Sequence, residues 1–225
     1  MEKQEMEALY NEAKNIYLHN FTEERITKAM KMFESLGDYK NSPEMVEKCR
    51  HFFDYDLGKI VTFGKFEGKD LKWKVIEVNG SLRLLFAVEP ITHRSYNVIH
   101  ENTYWSDADL RNWLNFKFVN EAFSIKERMN IIASERENNS SIEWSTQNGN
   151  PTRDKVFVLS HEECMQYLPE KEDRAIGEWW WLRNKGHSLL TAECVYADGS
   201  IYTLGLRISD PEIAVRPAMY VKVAK

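Results

Sequence analysis

Near Ile60 the apolar residues of this chain switch from helical spacing to alternation, and that switch divides it in two. Before it, Leu9, Ala13, Ile16 and Tyr17 fall on one helical face, as do Ile26, Ala29, Met30 and Phe33. Thr22 precedes the second run with Glu23 and Glu24 behind it, a favourable start for a helix whose amino end is positive, and Gly37 is placed to end it. Ser42-Pro43 starts a third helix carrying Met45, Val46, Cys49 and Phe52 or Phe53. After the switch, Leu71, Trp73 and Val75 alternate with Lys72 and Lys74, Asn79-Gly80 predicts a hairpin turn, and Leu82, Leu84 and Phe86 return on the second strand. The division predicted is a helical segment over 1–56 and a second domain over 57–225.

Later segments mix both periods. Leu110, Trp113 and Leu114 share a helical face, and Ser124 with Glu127 has capping-box spacing for a helix that turns Ile125, Met129 and Ile132 inward. Ser160 with Glu163 repeats that spacing after the strand "KVFVLS"; Asp198-Gly199 predicts a further hairpin, and "AVRPAMYVKVA" reads as the closing strand. The fold class is α+β. Between helix and strand, "SERENNSSIEWSTQNGNPTRD" is a long polar loop of the kind that carries function or moves, with Trp144 in its middle.

Composition narrows the function classes. The net charge of −5 shows no basic stripe for nucleic acid. No window approaches the roughly 18 apolar residues of a membrane span, and the polar amino terminus lacks a signal-peptide core, so a cytoplasmic protein is expected. Cys49, Cys164 and Cys194 are an odd, widely spaced set that fits a reducing compartment, each read as a small buried hydrophobe. No metal-ligand or cofactor-binding spacing appears, and no nucleophile motif. "SHEE" at Ser160 offers Ser, His and Glu as neighbours, but adjacent residues at a helix start point apart, so a capping box is expected there.

"GEWWWLRNKG" holds the most informative side chains. On a strand Trp179 and Trp181 share one face and are expected in the core; Trp180 points the other way, either beneath the loop of Trp144 or into a groove for a sugar or peptide. Arg183 and Arg216 stand among apolar residues, where a guanidinium needs a carboxylate or several carbonyls. Structural ion pairs are expected for both, with Asp107, Asp109 and Asp154 as candidate partners and the floor of an anion pocket as the alternative. The candidate contact residues are Trp144, Tyr104 and His187, on the loop from Ser134 to Asp154 and those near 97–104 and 185–188, with Trp180 and Asn184 from the tryptophan run.

Two resemblances add to this. "ITKAMKMFESLGDYKNSPEMVEKCRHF" resembles one tetratricopeptide-like helical unit, carried by Ala29, Phe33, Leu36, Gly37, Tyr39, Ser42 and Cys49. A single unit needs a neighbour to pack on, and the rest of the chain is favoured over a partner. "FGKFEGKDLKWKVIEVNGSLRLLF", "YWSDADLRNWLNFKFVNEAF", "NPTRDKVFVLSHEE", "WWWLRNKG" and "VRPAMYV", in that order, resemble the bacterial domain of unknown function 6273 family, of the C-type-lectin-like superfamily. The resemblance implies paired first and last strands, a small twisted sheet flanked by helices, and loops that present the ligand surface. It does not extend to the copper-binding cysteine pair of formylglycine-generating enzymes or the calcium loops of sugar-binding lectins. The leading expectation is a non-catalytic module that recognises a protein. The alternatives are an enzyme or small-ligand protein of the formylglycine-generating branch, with Arg183 and Arg216 around a pocket, and a structural subunit of a phage or defence assembly.

Overall fold

The computed structural model describes residues 2–19 and 22–223. Three helices open the chain: α1 (Lys3–His19), α2 (Glu23–Ser35) and α3 (Ser42–Phe53). Thr22 Oγ1 accepts from the Arg25 amide to cap α2, and Gly37, at φ +54°, turns the chain after it. Ile26, Ala29 and Phe33 are fully buried against Tyr10, Ala13 and Cys49, so the three helices enclose a core of their own.

The rest is a mixed α+β domain. Its strands are β1 (Ile60–Phe66), β2 (Lys69–Asn79), β3 (Leu82–Ala87), β4 (Thr92–His93), β5 (Ile131–Ile132), β6 (Ser134–Arg136), β7 (Thr152–Asp154), β8 (Val156–Val158), β9 (Trp180–Lys185), β10 (Thr191–Val195), β11 (Ile201–Arg207), β12 (Ala214–Val215) and β13 (Pro217–Lys222). Between them lie α4 (Asp109–Trp113), a π turn (Leu114–Phe118), α5 (Val119–Ala122), α6 (Ile125–Asn130), α7 (His161–Tyr167) and α8 (Lys171–Arg174). One sheet runs β1-β2-β3-β13-β5, with β8 also on β13; a second runs β11-β10-β9-β12-β4; β6 and β7 pair separately. One core, including Trp73, Phe86, Trp180 and Trp181, joins the two larger sheets.

Several expectations are corrected. The closing strand β13 pairs with β3, from Ala218 opposite Phe86 to Lys222 opposite Leu82, and not with the opening strand β1, which pairs only with β2. The long β2–β3 hairpin lies between them. Its two-residue turn is Gly80-Ser81, because Asn79 is already paired with Leu82. α6 buries none of its residues, and Ile125 and Met129 face outward. The cause is Glu127, whose carboxylate caps Ser124 and also accepts from the Gly64 amide of β1 at 3.0 Å. That contact turns the Glu127 side of the helix to the domain, and residues two positions away in either direction fall on the opposite side.

Arg83 of β3 fastens the helical segment. It is fully buried, donates through Nε to the Tyr55 carbonyl at 2.6 Å and through Nη1 to Gly80 at 2.8 Å, and stacks 4.5 Å over the Phe52 ring. Lysine lacks the planar fork that makes these contacts together. Arg83→Lys should cost about 2 kcal/mol in chemical denaturation, and limited proteolysis should release the 2–53 segment faster. Unchanged cleavage would mean the helices are held by other contacts.

Candidate functional site

The three loops expected to bind ligand meet at one place. β9 is followed by Gly186, where a Cβ would sit 2.3 Å from the Leu204 carbonyl; only glycine lets the chain pass so close to β11. The following amide, His187 N, donates to that carbonyl at 3.0 Å, and the ring Nδ1 donates to it at 2.9 Å. His187 is exposed, and its ring meets Trp144 edge to face at 6.3 Å. Gly149, at φ +85°, brings the long loop onto Tyr104, whose Cβ would be 2.8 Å from an added methyl. The Thr103 amide donates to Leu189 and joins the remaining pair of loops.

The long loop is anchored from below. Arg183, buried in β9, donates through Nη2 to the Glu137 carbonyl, through Nε to Asn138 Oδ1, and through Nη1 to both the Val158 carbonyl and Glu163 Oε2, at 2.8–3.1 Å. Asn138 then holds the far side of the loop through the Asn150 carbonyl at 2.6 Å. Further along, Ser141 Oγ donates to buried Glu193 at 3.1 Å, and Thr203 Oγ1 bonds Glu143. Trp144 remains 42% exposed, with Ile142 exposed beside it and Val98 and Ile99 exposed on the neighbouring loop.

The structure therefore divides the predicted contact residues. Trp144, Tyr104 and His187 come together at the loop surface. Trp180 and Asn184 do not reach it: both are fully buried. The Trp180 indole N–H donates to the Arg174 carbonyl at 3.0 Å, and Asn184 accepts from the His161 amide at 2.8 Å. Trp181 is buried as expected, whereas Trp179 precedes the strand and is only half-buried, against Tyr196 and Tyr202. Arg183 forms a structural ion pair, but with Glu163; Asp154 is engaged by Arg111 at 2.7 Å and by the Trp105 indole at 2.9 Å. Arg216 makes no ion pair among the described residues. It donates to the Ala87, Val88 and Arg174 carbonyls and lies over both the Phe86 and Trp180 rings, and burial pushes its pKa down to about 10.

Besides Arg83 and Arg174, two further buried charges went unnoticed in sequence. Glu193, inside "TAECV", is fully buried and accepts from His161 Nδ1 at 2.7 Å. Lys185 is fully buried with its amine 4.6 Å over the Tyr96 ring, and burial pushes that amine down to about 7. A charged side chain in an apolar strand was the available signal for both, the one that singled out Arg183. Burial also pushes the Cys164 and Cys194 thiols up to about 12, far from the reactive thiolate range. No group of three or more His, Cys, Asp or Glu side chains suited to a metal ion occurs among the described residues.

The hydrogen bond to Glu193 raises the His161 pKa above its ordinary value, against burial; Glu162 adds to the rise and Arg174 opposes it. A raised imidazole contributes stability that is complete below about pH 6.5 and is lost as pH rises through the folded value. Denaturation midpoints should therefore carry a component that falls as pH rises from the ordinary histidine range through the raised folded value, and His161→Gln should remove it. An unchanged pH slope in that variant would assign the titration elsewhere.

Among known families, the one described as Domain of unknown function (DUF6273) matches residues 79–223. No curated protein and no solved structure matches the chain.

Proposed function

The chain belongs to the DUF6273 family, and from that premise we propose that it is a non-catalytic recognition module whose three-loop surface binds a protein partner. One observation carries this reading: the loops are tied to the sheet and to one another, yet leave Trp144, Ile142, Val98 and Ile99 facing water. A pre-ordered aromatic loses little entropy on binding, which is why such side chains dominate interface energetics. We read the domain as C-type-lectin-like, an arrangement supported by its antiparallel sheets, flanking helices and clustered long loops, although its closing strand pairs with β3. The opening helices are read as a single tetratricopeptide-like unit docked on that domain through Arg83. Three free, buried cysteines support a reducing, cytoplasmic setting, and no described helix is long and apolar enough to cross a membrane.

The enzyme reading has less support. Arg183 and Arg216, the side chains it would place around a pocket, spend their donors on the protein's own oxygens. Cys194 is a thiol that burial keeps protonated.

Trp144→Ala should weaken capture of the partner from native host lysate by about tenfold or more, with the melting temperature nearly unchanged. A large fall in melting temperature with undiminished capture would make Trp144 a structural residue and the loops a poor candidate surface.

A further inference from the structure

A second surface, on the α5–α6 side of the domain, has its own chemistry. α6 presents Ile125 and Met129, one turn apart and 73% and 74% exposed, because Glu127 holds its other side to β1. Beside them the π turn leaves Phe116 69% exposed. Leu114 and Phe118 of that turn stay buried, while Asn115 bonds the Lys155 and Val156 amides and the Val156 carbonyl. The extra residue of a π turn thus serves the core and the strand on one side and turns a phenyl ring outward on the other; such turns often mark functional positions.

These side chains help line a shallow groove of about 840 Å³, which shares Met129 with a second depression of about 360 Å³ leading to the helical segment. The rim of the pair is cationic. Arg128, Arg153 and Lys155 line the first, and Lys48, His51, Lys126 and Lys222 line the second. Among the described residues no aspartate or glutamate lines either groove; Lys48 pairs with Glu44 and His51 with Asp54 outside it, while Arg128, Arg153, Lys155, Lys126 and Lys222 are in no ion pair. A chain of net charge −5 has thus gathered positive charge around an exposed apolar strip. Isolated exposed apolar residues are ordinary, but a contiguous strip with a charged rim is the usual form of an interaction site.

We infer that this groove docks an acidic amphipathic helix of a partner protein, its apolar face on Phe116, Ile125 and Met129 and its carboxylates on the cationic rim. In helix-in-groove recognition the docked helix presents apolar anchors one turn apart, and Ile125 and Met129 offer apolar contacts at the same interval for them to meet. The aliphatic character of Ile125 and Met129 favours a protein over single-stranded nucleic acid, which needs aromatic faces for base stacking; Phe116 alone supplies one.

Three labelled probes test this on the full chain: a helical peptide with leucine on one face and glutamate on the other, its lysine counterpart, and an oligothymidine. Fluorescence anisotropy should show saturable binding of the glutamate peptide, at least about tenfold tighter than the lysine peptide, and weakening with salt. Ile125→Ser and Met129→Glu should each weaken it by about tenfold, and Arg153→Glu with Lys155→Glu by about fivefold or more. All four positions are exposed, and circular dichroism should report an unchanged fold. Indifference to peptide charge, no binding, or insensitivity to these substitutions would overturn the proposal. So would oligothymidine binding lost in the same variants, or a wild-type dimer by sedimentation that Met129→Glu dissociates, which would give the groove to a second copy of the chain. The three-loop surface plays no part in this test, so either proposal can fail alone.

Discussion

The domain depends on how a buried guanidinium is satisfied. Removing Arg183 from water costs several kcal/mol, repaid only where hydrogen bonds and a paired charge replace the lost solvation. Here the replacements come from the two residues that begin the long loop, from the end of β8 and from Glu163 of α7. One side chain therefore joins strand, helix and loop, and none can leave without exposing an unpaired buried charge. β9 is shaped by the same demand: between Trp181 and Lys185 its register with β10 shifts, and the Arg183 amide donates to Leu159 rather than to β10.

Around this anchor the three-loop surface is assembled by close backbone approach. Gly186 lets β9 turn under the Leu204 carbonyl, and Gly149 lets the long loop lie on Tyr104. Such contacts order loops without burying their tips, and Trp144 can be both oriented and wet. The α6 groove arises by another route, from a helix held by its polar side. In both places a well-satisfied polar contact determines which apolar side chains are left at the surface.

Much of this was legible in the sequence. The change of period at Ile60 marks the passage from helices to sheet, both capping boxes form, and the tryptophan run lies largely in the core. Trp144, Tyr104 and His187 were placed on surface loops, where the structure has them, because turn-rich polar segments lie at the surface. What stayed hidden depends on partners distant in sequence. Periodicity places Trp180 and Asn184 on a face but does not show that Arg174 and His161 close over them. Glu163 resembled a capping residue and is one, yet it also pairs with Arg183 from 20 positions away. The outward turn of α6 follows from a contact between Glu127 and Gly64, 63 positions apart, which local spacing does not encode.

Recognition through these loops requires the long loop to be a fixed platform rather than a disordered strap. Native-state hydrogen exchange of the free protein measures this directly. The Ser141 amide, bonded to the Thr146 carbonyl, and the Trp144 amide, facing Ser141 Oγ, should exchange well below the rate of unstructured peptide. Exchange of both at the unprotected rate, with β9 and β10 still protected, would contradict it.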